Sequence, residues 1–465
     1  MYLQLTVGRP RLNALQKNAD ETMPRSGLLA SGSASGLFRL SRYGLLFVSL
    51  ALFGHGNDAC GQSTPPAVEQ STTDTQLTAT ELQLLLDAHA ANSQGTFVVN
   101  QFRTIDPEIA AVLAKATSDL ELVGISTVSA EVASLLAEHQ AALFLPALTS
   151  LDSVALATKL ASQPCWSLWL PAVNTLSPET ALAVAAHDGP LHLDGLPTLS
   201  PEIARKLAEH RGTLSLGGLS VLSPEIAKIL ASHQGSLRLA GLSSLGEDAA
   251  EPLAQTAGSL VLPGLRSISP TAAAALAGHK ELLAIDGLVS LSAELAAALA
   301  QHEGPLSLDG IAAISPAALE SLKAHASWLS LASLRRLSDQ ASEALAAHQG
   351  PLILAGLTAP SPSVARSLAS HPTAISLPGI VYLADEVAAA FTSGPPILTL
   401  SALAGLSPTA ARSVASRSGQ TQLPGRETFS AEVIDILKTT AGRVEFEESK
   451  DIQNDSSPLA TEPNS

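Results

Sequence analysis

Two hydrophobic patterns alternate along most of this chain. In one, apolar residues occupy every second position and a glycine follows, as in LHLDGL (Leu191–Leu196), LSLGGL (Leu214–Leu219) and LSLDGI (Leu306–Ile311). Such alternation predicts a very short strand running into a turn. The other is LSPEIARKLAEH (Leu199–His210), which returns as LSPEIAKILASH (Leu222–His233), 23 residues on. Here Ile203, Ala204, Leu207 and Ala208 fall on one helical face. Ser200 fits the N-cap, where its hydroxyl accepts from an otherwise unpaired backbone N–H. Pro201 fits the first helical position, and Glu202 sets a negative charge at the positive end of the helix dipole. His210 and Gly212 are expected to close the helix. Ser223, Pro224, Glu225 and His233 repeat these roles one unit later.

Each unit is therefore strand, turn, short helix and return. A helix of two to three turns is barely stable alone. One unit cannot bury its own apolar stripe, so neighbours must stack in a row. The strand leucines keep the step: Leu168, Leu191, Leu214, Leu237, Leu260, Leu283, Leu306, Leu329 and Leu352 are each 23 apart, and Ile375, Leu398, Thr421 and Val444 continue. Upstream, Phe97, Leu120 and Leu143 share it; the step from Leu143 to Leu168 is 25. A leucine followed by proline recurs at Leu145–Pro146, Leu170–Pro171, Leu262–Pro263, Leu377–Pro378 and Leu423–Pro424.

This pattern resembles the bacterial leucine-rich repeat of the 23-residue type, over roughly Leu77 to Phe446. The resemblance implies an α/β solenoid: a right-handed superhelix with short parallel strands on the concave side and short helices on the other. About 15 repeats are expected within residues 77–446, with residues 77–90 as a helical N-terminal cap. The asparagine that usually follows the strand in such repeats is absent; Gly195–Leu196 and Gly310–Ile311 stand near its place.

Outside the repeats the chain changes character. Arg39 and Arg42 precede the apolar run Tyr43–Phe53, and small residues stand at Ala59 and Gly61. Residues 1–61 read as an N-terminal extension with a secretory signal cut after Gly61, Met23 being an alternative start. An uncleaved anchor is the other reading, although the run is short for a membrane span. A lipoprotein use of Cys60 is disfavoured, because Asn57 and Asp58 stand where that signal wants Leu and a small residue. Residues 62–76 form a polar linker and residues 447–465 an acidic tail expected to be disordered. Export would place the chain in the periplasm, on the cell surface or outside the cell, with no stable membrane span after cleavage.

Composition narrows the function. Net charge is −16, and six of the 26 basic but only three of the 42 acidic residues precede Gln62, so the repeat body is more acidic than the whole. Such a body repels phosphate backbones and anionic membranes, which excludes nucleic acid as the expected partner. A disulfide framework is not expected from two cysteines, and Cys165 reads as a small buried apolar residue.

Histidines mark a second column: His89, His139, His187, His210, His233, His279, His302, His325, His348 and His371. Metal binding is one reading. A structural role at each helix C-terminus is the stronger one, since imidazole can donate to unpaired carbonyls and, when charged, favours the dipole. Recurrence also argues against catalysis by Ser-Pro-Glu, because a cap is needed in every layer and a catalytic group once. No phosphate loop, nucleophile elbow, zinc signature or dinucleotide fingerprint is present, so a non-enzymatic protein without cofactors is expected. Between the strand leucines, most residues facing away from the helices are small. Phe144, Trp169, His192 and Arg238 are bulky exceptions, with Asp194 beside them; Trp328 is a lesser candidate. Aromatic and Arg side chains dominate recognition surfaces. The expected function is thus a scaffold binding a protein or glycan at Phe144, Trp169, His192, Asp194 and Arg238. A structural or self-associating cell-envelope protein is the alternative.

Overall fold

The computed structural model describes residues 78–92, 95–438 and 443–447. The signal, the linker, Cys60 and the tail beyond residue 447 lie outside these residues. The described chain alternates strand and helix almost without exception after an opening helix, Ala79–Asn92. It divides into two compact units, one closing with Ser153–Leu168 and the other made of Thr149–Asp152 and everything from Trp169 on.

In the first unit the strands Phe97–Val99, Leu120–Leu122 and Leu143–Phe144 form a parallel sheet. The long parallel sheet of the second unit counts thirteen strands among the described residues, from Leu168–Trp169 to Val444–Phe446. Its strands are laid down in chain order, and the register pairs each leucine with its copy one repeat away, Leu191 with Leu214 and Leu237 with Leu260. The run of 23-residue steps is thus the hydrogen-bond register itself. At the 25-residue step a short extra pair forms, Ser150–Leu151 with Thr175–Leu176.

The core of the second unit is a column of aliphatic layers. Leu191, Leu193, Leu214 and Leu216 are wholly buried on the strand side, and Ala204, Leu207, Ala227 and Leu230 on the helix side. Consecutive helices pack on one another, as Pro201–Ala208 does on Pro224–Leu230. Small alanines on these faces permit close spacing, which explains a core built almost without aromatics.

The helix starts follow the sequence. Ser200 Oγ accepts from Ile203 N at 3.2 Å and Ser223 Oγ from Ile226 N at 3.3 Å, each before a proline. Ser200→Ala should cost about 1 kcal/mol, read as a lower urea midpoint with unchanged circular dichroism. The helix ends differ from expectation. The residue after Pro201–Ala208 stays right-handed, and its last turn tightens through Glu209 N to Lys206 O and His210 N to Leu207 O. Gly212 therefore serves spacing between layers and not a left-handed cap: a Cβ there would lie 2.7 Å from Gly189 O.

Candidate binding face

The face of the long sheet turned away from the helices is set by alternation along each strand. Trp169, His192, Ser215 and Arg238 occupy this position on four consecutive strands. At about 4.8 Å per strand, Trp169 and Arg238 are about 14 Å apart along the sheet. Trp169, His192 and Arg238 are half-buried, and Ser215 between them is fully buried. Further along, Ala284, Ser307, Ser330 and Thr399 are buried, while Val261, Ile353 and Ser376 are partly exposed. Trp328 is half-buried just ahead of its strand.

Phe144 departs from expectation. It lies on the short sheet of the first unit beside Glu121 and is only 7% exposed, so its ring fills a core position. Burial also pushes the Glu121 carboxyl above its usual range. Among the described residues of the first unit, the exposed large aromatic is Trp166, at 58%.

In three layers aspartates do what the absent asparagine would do at this turn. Asp194 Oδ1 accepts from Ser215 Oγ at 2.6 Å and from Gly217 N at 2.6 Å, both one layer on. Asp286 treats Ser307 Oγ and Asp309 N alike, at 2.6 and 3.1 Å. Asp309 then accepts from Ser330 Oγ at 2.5 Å and Ala332 N at 2.8 Å. Desolvation pushes the Asp309 carboxyl up, partly offset by those donors. Asp194, expected as a contact residue, is thus also a rung of the sheet; its Oδ2 lies 4.0 Å from His192 Nδ1. The signal was available in the sequence: where a strand ends in aspartate, as in LHLD (Leu191–Asp194), LAID (Leu283–Asp286) and LSLD (Leu306–Asp309), serine stands one layer on, at Ser215, Ser307 and Ser330.

The histidine column is interior. His210, His233, His279, His302 and His325 are at most 1% exposed. Rings stack at 6.0 Å between His210 and His233 and at 6.1 Å between His302 and His325. Their N–H groups reach carbonyls: His210 Nδ1 donates to Ala185 O at 3.1 Å, and His233 Nε2 to Gly212 O at 3.0 Å. His348 and His371 instead accept from backbone N–H groups on Nδ1, at 3.2 and 3.3 Å. Burial holds all these imidazoles below their usual pKa, down to about 4 for His348 and His371. The rings are neutral near pH 7, so they bond carbonyls without the charge that would favour the helix dipole. No three His, Cys, Asp or Glu among the described residues are grouped to hold a metal ion.

Other residues take the column position where histidine is missing. Gln163 donates from Nε2 to Leu143 O at 3.1 Å and accepts Leu143 N. Thr256 donates to Leu253 O at 2.9 Å. Strand, turn and helix thus recur layer after layer in parallel register, most helices capped by a side chain and most strands opened by leucine. The fold is a leucine-rich-repeat solenoid.

No family model and no curated protein matches the chain. Among solved structures, a leucine-rich-repeat protein of Leptospira interrogans is 17% identical, with 73% of this chain and 92% of that chain covered and a TM-score of 0.32. An internalin of Listeria monocytogenes is 15% identical over 73% of this chain and 88% of that one, with a TM-score of 0.26. A chain from the yeast Rad7–Elc1 complex is 16% identical over 65% and 84%, with a TM-score of 0.31.

Cys165 corrects the sequence reading. It is half-buried and disulfide-bonded. No described helix is long and apolar enough to cross a membrane.

Proposed function

We propose that this leucine-rich-repeat solenoid is a non-enzymatic binding scaffold. It takes a protein or glycan on the helix-free face of the long sheet, at Trp169, His192, Asp194 and Arg238. One observation carries the reading: three bulky side chains of recognition type sit on four consecutive strands, on a face otherwise lined largely by small residues. A flat ring, an imidazole and a guanidinium within about 14 Å suit a ligand that combines an apolar face with hydrogen-bond acceptors.

The chain is read as exported. A disulfide at Cys165 suits an oxidising compartment.

The test is capture from an envelope extract by the full chain and by Trp169→Ala and Arg238→Ala. Each substitution should weaken capture about tenfold or more, a hot-spot loss of ~1.4 kcal/mol or above, with circular dichroism unchanged. Undiminished capture by both variants moves the site elsewhere. The buried Ser215, Ala284, Ser307 and Ser330 favour a second reading, a self-associating envelope element. Concentration-dependent assembly in sedimentation, without a partner, would select it.

A further inference from the structure

The 25-residue step leaves a mark on the first unit. Where that layer departs from the repeat, a cleft of about 830 Å³ opens, lined by Asp119, His139, Thr158, Lys159, Gln163 and Cys165 among others. Its polar groups are not balanced against one another. His139 is 1% exposed, and its ring nitrogens make no hydrogen bond of good geometry, only weak contact with the Ala114 and Ala142 backbone, whereas the other buried column rings reach backbone groups or, at His279, approach a hydroxyl. The Lys159 ammonium spends one of its three protons on Ala141 O at 2.8 Å, and no carboxylate lies within ion-pair distance among the described residues. Gln163, by contrast, is fully engaged with Leu143 and Leu160. Asp119 is exposed, and its Oδ1 accepts Ala142 N at 2.9 Å.

We propose that this cleft binds the carboxylate of a small molecule, held between the Lys159 ammonium and the His139 ring N–H. Two basic groups drawn partly out of water without an anion are costly, and one negative charge seated between them offsets that cost. The lowered pKa values of both groups fit this arrangement: burial depresses each, and the Lys159 charge further depresses His139 against the partial offset of the Ala114 and Ala142 backbone and Asp119. Asp119 sets the charge of the ligand. Its carboxylate attracts Lys159 from a distance and repels a second negative charge, so the site suits a monoanion better than a phosphate dianion. Thr158 and the far side of the cleft leave room for a polar body behind the carboxylate.

The proposal is tested by NMR on the full chain, following the ring signal that disappears in His139→Gln, a substitution matching the Gln163 of the neighbouring layer. Sodium acetate should move this signal saturably, and sodium chloride at equal ionic strength should not. Lys159→Gln should weaken acetate binding about tenfold or more through the lost charge-assisted bond. Lys438→Gln, just past the helix Ala431–Leu437 of the second unit, should bind as the parent does. A shift reproduced by chloride, or unweakened acetate binding by a folded Lys159→Gln chain, would overturn the site. Tighter binding of phosphate than of acetate would overturn the ligand class.

Discussion

Arg417→Ala is expected to loosen the last layers of the second unit by about 2–4 kcal/mol. Arg417 stands two repeats beyond His371, in the histidine column, and is 1% exposed. Its guanidinium donates to Phe391 O, to Pro395 O at 2.8 Å and to Thr421 Oγ1 at 2.9 Å. Between His371 and Arg417 the column residue is Gly394, and a Cβ there would stand 2.4 Å from Arg417 Nη1. One long side chain therefore serves two layers, and the missing side chain at Gly394 makes the room. Truncation to alanine strips Pro395 O of its donor, leaves Phe391 O with Gly394 N alone and opens a void, the lost donor and the void each worth about 1–3 kcal/mol. Desolvation of the cation, which lowers its pKa to about 10, offsets part of this.

Gly394→His alone should be as damaging, because its ring would occupy the guanidinium's place. The pair Gly394→His with Arg417→His restores one imidazole per layer and should recover much of the loss. That non-additivity, measured as a double-mutant cycle in urea, is the signature of the shared layer. Because repeat arrays unfold by neighbouring layers, hydrogen exchange should rise first beyond Phe391 in Arg417→Ala. Additive effects of the two column substitutions would refute the shared-layer account.

Acid should unfold the second unit well above the pH that protonates ordinary carboxylates. A solvated histidine titrates near 6.5, whereas burial holds His348 and His371 down to about 4. Between those values the unfolded chain binds more protons than the folded one. Stability is therefore full above about pH 6.5 and falls as pH drops toward 4. Each of these two rings accounts for about 3 kcal/mol over that window, and His210, His233, His279, His302 and His325 shift in the same direction. Stacking multiplies the effect, since a proton on one ring repels the next about 6 Å away. Urea midpoints between pH 7 and pH 4.5 should fall steeply. His348→Gln should flatten the slope while costing some stability at pH 7. A midpoint independent of pH over this interval would show that the rings are not held neutral.

The sequence by itself determined the layered plan. The recurrence of leucine, Ser-Pro-Glu and histidine dictates strand, cap and column in each unit. Nearest-neighbour stacking is the only way such a unit can hide its apolar side, so period alone specifies register. Leu191 pairing with Leu214 and Ser200 capping its helix were legible for that reason. Tertiary structure decided what depends on a neighbouring layer. Asp194 reaches Ser215, Arg417 reaches across Gly394, and Gly212 yields space to Gly189; each partner lies about one repeat away and leaves little trace in its own unit. Exposure was decided the same way. Phe144 and Trp169 occupy equivalent positions in the repeat, yet one is buried and the other half-open, because neighbours and not the alternation itself determine what covers a side chain.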